Sequence, residues 1–137
     1  MNSFSRSLGR RPHVPALLVT VVGAVVYLVW RPPSNDFAVQ DFRIELFRRA
    51  PFAIWNNQWF GGHHTPSYSL FSPLLGSIVG VRMLGVIGVL AAAWAGSVLV
   101  HRVAARTADL QRPEAAAVLF AVGCLASLYG GRLAFLL

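Results

Sequence analysis

The sequence predicts an all-α membrane protein: about three transmembrane helices, with an amphipathic juxtamembrane helix in the first outward loop. Three observations carry this. The 137-residue chain is 55% hydrophobic and only 12% charged, with mean hydropathy +0.57, and soluble domains are rarely so poor in charge. Its apolar residues gather into three uncharged runs, 14–30, 83–100 and 115–131, each near the length of a bilayer crossing. All 12 basic residues are arginine, and they cluster beside two of those runs. An arginine balance of this kind bears on membrane orientation, not on a nucleic-acid surface.

Residues 1–13 read as a cytoplasmic N-terminus carrying Arg6, Arg10 and Arg11. Residues 14–30 form the first transmembrane helix; 17 residues at 1.5 Å each span roughly 26 Å, enough for the hydrocarbon core. Arg31-Pro32-Pro33 stands where a signal peptide would have small residues for cleavage, so the run is an uncleaved anchor. The extracytoplasmic loop covers 31–73, with an interfacial helix over about 36–50 that Ser34 or Asn35 can cap and Pro51 ends. On a helical wheel Val39, Phe42, Leu46 and Ala50 share one stripe, and Asp41, Glu45, Arg48 and Arg49 cluster opposite, which suits the headgroup layer.

The second transmembrane helix is assigned to 74–100, with its core at 83–100. Arg82 divides this stretch: either one long tilted helix snorkels the guanidinium, or a short interfacial or re-entrant segment leads into the span. A cytoplasmic loop at 101–114 holds Arg102, Arg106 and Arg112, and the third span is 115–131. The apolar tail at 132–137 is an unusual finish for a membrane protein, and the expectation is the N-terminal piece of a longer polytopic chain. By the positive-inside rule, both arginine clusters belong in the cytoplasm and 31–73 faces outward. The chain is thus expected in the cell membrane as a multi-pass protein in contact with lipid.

The chemistry is concentrated in the outward loop. Asp36 and Asp41 arrive within a dozen residues of the first span, where charge close to hydrocarbon is costly and calls for a functional hypothesis. Asp36 lies about 140° around the helix from Asp41, so the two point differently. Asp36 is the better site candidate, with helix capping its alternative, and a solvated face accounts for Asp41 equally well. Glu45 has an i,i+4 partner in Arg49. Further on, Trp55, Trp59, Phe60 and Tyr68 fit an interfacial aromatic belt, and Gly61-Gly62 marks a turn. His63 and His64 are adjacent, so their rings diverge; phosphate or sugar contacts suit them better than zinc, and an ordinary polar loop is the alternative. No metal-ligand spacing is present. The lone Cys124 sits in an apolar run, which rules out an internal disulfide or a cysteine-based metal site. All five acids lie outside the apolar runs, unlike the intramembrane charges of transporters.

Taken together, residues 1–100 resemble the start of a GT-C-type glycosyltransferase, a polytopic enzyme that uses polyprenyl-phosphate sugars. The matching pattern is a cytoplasmic N-terminus, one span, an outward loop with an acid soon after it, and an aromatic, proline-containing approach to the second span. Asp36 and Asp41 stand at the acidic positions, and Trp55 through Pro66-Ser67-Tyr68 resembles the approach. Many members carry two adjacent acids, whereas this chain has Asn35-Asp36 and a separate Asp41. The resemblance implies Asp36 as the catalytic base and Asp41 as an auxiliary acid or metal ligand. Arg43, His63 and His64 would make phosphate-side contacts, with Trp59 and Tyr68 also lining the substrate site. It implies a polyprenyl-phosphate sugar donor as partner, and admits Mg²⁺ or Ca²⁺ on the carboxylates, since oxygen ligands suit those ions. The alternative class is a non-enzymatic small membrane scaffold or subunit that binds lipid or a partner membrane protein.

Overall fold

The computed structural model describes residues 12–53, 55–58, 65–66, 71–107 and 110–132. The chain is helical, with five helices and one two-residue antiparallel ladder among the described residues. In order these are α1 (Val14–Trp30), α2 (Asn35–Arg49), β1 (Trp55–Asn56), β2 (Thr65–Pro66), α3 (Phe71–Val79), α4 (Val81–Arg106) and α5 (Pro113–Tyr129). In the ladder, Trp55 pairs with Pro66 and Asn56 with Thr65. One helix, α4, is long and apolar enough to cross a membrane; α1 and α5 are shorter apolar helices of 17 residues each.

Local chemistry sets the helix ends. Proline at the first turn of α1 and of α5 has a preset φ and lacks an N–H that would be unsatisfied there anyway. Arg31 closes α1 in the left-handed region (φ 50°), donating its N–H to the Tyr27 carbonyl at 2.9 Å, and Pro32 prevents continuation. Helix α5 ends in a Schellman arrangement. The Arg132 N–H donates to the Ser127 carbonyl (3.0 Å), the Gly131 N–H to that of Leu128 (3.1 Å), and Gly131 supplies the positive φ of 76°.

Over 74–100 the structure takes the divided form. Gly80 (φ 84°) breaks the chain into α3 and α4, and α4 then continues to Arg106, which shortens the following connection. A residue with a Cβ is strained at this φ, so the break belongs to glycine. Arg82 does not snorkel free of the protein. Its guanidinium lies over the Phe37 ring at 4.4 Å and the Tyr27 ring at 5.5 Å, a cation–π clasp among α1, α2 and α4.

Helices α1, α4 and α5 form a three-helix bundle, and α2 with α3 packs as a pair against the α4 end of it. The bundle core has two clusters. Ala24, Tyr27, Val86, Val89, Cys124 and Leu128 make one, and Ala16, Ala93, Ala117 and Ala121 the other. Contact residues this small let helix backbones approach closely, as in lipid-embedded bundles. The bundle's outer face is apolar: Leu18, Val22, Val25 and Val29 of α1 are exposed, as are Trp94 and Leu99 of α4 and Leu119 of α5.

The buried edge of α2 is not the expected stripe. Gln40 and Ile44 are buried, flanked by half-buried Phe37 and Phe47, whereas Ala50 is exposed and Val39, Phe42 and Leu46 are only half-buried. The contact line is rotated by about one residue because α3 packs on that side. Gly76 leaves the space that the Ile44 side chain fills: a Cβ there would lie 2.5 Å from Ile44 Cδ1.

Candidate functional site

Asp36, Asp41 and Arg43 are carried by α2, which is separated from the end of α1 by four residues. Asp36 lies in its first turn, where a carboxylate is favoured by the exposed N–H groups. The Asp36 carboxylate, 54% exposed, sits 3.5 Å from Nε of Arg132 at the end of α5. Beside it the Ser34 hydroxyl donates to the Gly130 carbonyl at 2.6 Å. A Cβ on Gly131 would lie 2.6 Å from Ser34 Oγ and 2.8 Å from the Phe37 nitrogen, so α2 begins in close contact with the α5 terminus. The Tyr129 hydroxyl completes this end of the bundle by donating to the Gly23 carbonyl at 2.9 Å, with its ring edge-on to Tyr27.

Asp41 is exposed one and a half turns later and has no ion-pair partner among the described residues. It lines an open groove of about 500 Å³ with Phe42, Glu45, Leu46, Arg49 and Gln58. The groove is lined by both polar and apolar side chains. Glu45 bonds to Arg49 Nε at 2.9 Å and lies 3.8 Å from Arg48 Nη1, so the solvated ion-pair face expected for these three residues is present.

Arg43 lines a separate void of about 10 Å³ with Gln40, Ile44, Ser72, Val81 and Leu84, under α2 and against α3 and α4. That void holds one water at most, far less than a phosphate. The structure thus divides the proposed set, with Asp36 at the α5 terminus, Asp41 on the groove and Arg43 beneath the helix. Trp59, His63, His64 and Tyr68 lie outside the described residues. Among the described residues no three His, Cys, Asp or Glu side chains converge on one point.

Several contacts here have no counterpart in the sequence reading. Arg132 stands in a segment read as a tail, yet it is the partner of Asp36. The Gly130-Gly131 pair at the end of an apolar run was the available signal, because it marks a helix terminus able to meet another backbone closely. A second polar cluster lies at the opposite end of α1. His13 Nδ1 is 2.9 Å from Ser97 Oγ, His101 Nδ1 donates to the Ser97 carbonyl at 2.8 Å, and the two rings meet edge to face at 5.2 Å. Compared with known proteins, the chain matches no family model, no curated protein and no solved structure.

Proposed function

We propose that this chain is the N-terminal part of a membrane glycosyltransferase that moves a sugar from a polyprenyl-phosphate donor to an extracytoplasmic acceptor. The reading rests on one observation above others: two aspartates, Asp36 and Asp41, on a short helix directly after the first apolar helix, with Asp41 facing an open groove. In this reading α1, α4 and α5 all cross the bilayer with the N-terminus in the cytoplasm. α2, β1, β2 and α3 then lie on the outer side at the lipid boundary. The apolar outer faces of α1, α4 and α5 support it, since lipid is the solvent such surfaces need.

The acceptor hydroxyl attacks the anomeric carbon of the donor. Its proton passes to the Asp36 carboxylate, and the sugar–phosphate C–O bond breaks with its electron pair leaving on phosphate. General-base help of this kind contributes roughly 10²–10⁴-fold. Asp41, on the groove, serves as an auxiliary acid. Arg132 pairs with Asp36 and holds it beside the α5 terminus. The phosphate-side contacts fall to His63 and His64.

Two measurements test this. Full-length protein containing the segment, supplied with polyprenyl-phosphate sugars in membranes, should transfer sugar; no transfer from any donor would leave the non-enzymatic scaffold. Cysteines introduced at Asn57 and at Thr107 in a Cys124→Ala background should differ in intact cells. Asn57→Cys should react with an impermeant thiol reagent and Thr107→Cys should not, and the reverse pattern would overturn the orientation.

A further inference from the structure

Helices α2 and α3 pack against each other, and their outer sides differ in kind. On α2 the exposed positions include Asp36, Asp41, Glu45, Arg48 and Arg49. On α3 every exposed residue is apolar: Phe71, Leu75, Ile78 and Val79 are 41–76% exposed. Their spacing of i, i+4, i+7 and i+8 gathers them on one face of the helix. The opposite face is occupied. Ser72, Pro73 and Gly76 are buried, with Ile44 of α2 filling the space over Gly76. Half-buried Ser77 keeps its hydroxyl proton within the helix, donating to the Leu74 carbonyl at 2.7 Å, and its own carbonyl meets Arg48 Nη2 at 3.5 Å.

A short helix that exposes four large apolar side chains and no polar one does not suit water. It does not suit another helix either. Helices in lipid meet through small residues, as Ala16, Ala93 and Ala117 do in the bundle, and this face has none. Fluid acyl chains fit it, because they conform to bulky side chains and a helix leaves them no backbone group to satisfy. The apolar surface also continues past the break at Gly80: Met83 and Ile87 are exposed on α4, the helix long and apolar enough to cross a membrane. We propose that Phe71, Leu75, Ile78 and Val79 form a lipid-docking surface, with α3 immersed among phospholipid acyl chains and α2 riding on it towards water. Nine residues at 1.5 Å each make about 14 Å, half of a ~30 Å hydrocarbon core, so α3 stays within one leaflet. The pair thus divides between two helices the amphipathicity expected of α2 alone. Packing at an axial separation of about 8–10 Å lifts α2 by one helix layer, which brings the Asp41 groove to headgroup height. The inference rests on the reading of the bundle as membrane-spanning and is independent of sugar transfer.

The test uses the whole chain in phosphatidylcholine nanodiscs with Cys124→Ala, which removes its single cysteine. Nitroxide labels go singly on Leu75→Cys and Ile78→Cys of α3, Ala38→Cys and Arg49→Cys of α2, and Trp94→Cys of α4. Their collisions with oxygen and with a water-soluble nickel chelate are compared. The logarithm of the oxygen-to-nickel ratio should be positive at positions 75, 78 and 94 and negative at positions 38 and 49. Negative values on α3 with a positive one at position 94 would overturn the docking surface and leave the spanning bundle intact. Labels on α3 that reach neither probe would also overturn it, because a second copy or another protein then covers that face. A negative value at position 94 would overturn both readings. Without any substitution, a carbene reagent dissolved in the acyl region should label α3 and spare α2; labelling of α2 without α3 would contradict the proposal.

Discussion

The three-helix bundle and the α2–α3 pair laid against it are held by different physics. In the bundle, helices meet through alanine, glycine and serine with Tyr27, Val89 and Leu128 filling the gaps, and the charged side chains stay near the helix ends. In the α2–α3 pair, the contacts include a guanidinium on two aromatic rings, a hydroxyl on a carbonyl and exposed ion pairs. Close packing is hard to perturb gently, whereas exposed polar contacts are each worth about 1 kcal/mol or less. The bundle is therefore the rigid platform, and α2 is the part whose position and chemistry are adjustable.

The largest effect expected on that contrast comes from the bundle core. Leu128 is fully buried, and Leu128→Ala leaves a cavity that the neighbouring helices fill only in part. In lipid or detergent the transfer contribution is small and the cavity cost remains, so about 2 kcal/mol should be lost in denaturant unfolding of the reconstituted protein. Leu119→Ala, at an exposed position, should change almost nothing. Equal losses at both sites would break the distinction between core and exposed surface.

A smaller and local effect is expected at the junction of the two regions. Gly131→Ala forces a left-handed φ on a residue with a Cβ and drives that Cβ into Ser34 and the Phe37 backbone. The conformational cost alone is about 1–2 kcal/mol. Amide exchange should quicken along α2 while α4 keeps its protection; uniform acceleration through both would mean the junction is not separable from the bundle. Smallest is Glu45→Gln. Glu45 and its arginines are half exposed or more, and loss of both contacts should cost no more than about 0.5 kcal/mol by thermal unfolding.

The same contrast explains what was legible in the sequence. The run 14–30 coincides with α1, and 115–131 is displaced by two residues from α5, because hydropathy and proline or glycine ends act locally. The division of 74–100 at Gly80 was visible only as a choice between two forms, since helix breaking by one glycine depends on what packs nearby. The buried edge of α2 was misread by about one position: its burial is decided by α3, which a helical wheel drawn on α2 alone omits. Asp36 and Asp41 stood out as charges in an apolar chain. Their separate surroundings, Arg132 for one and the groove for the other, come from α5 and from Gln58, and no local spacing encodes them. His13 and His101 were invisible as a pair for the same reason.

The central claim is that Asp36 works as a base and is more than a tether for α2. The decisive measurement compares sugar transfer by full-length protein carrying Asp36→Asn with that carrying Arg132→Gln. Asparagine keeps the shape and helix-start preference of aspartate but removes the base. Arg132→Gln breaks the same ion pair and leaves the carboxylate in place. The account predicts at least a ~100-fold loss of transfer for Asp36→Asn and only a several-fold loss for Arg132→Gln. Equal losses in the two variants, or unimpaired transfer by Asp36→Asn, would contradict it and leave Asp36 as a structural contact.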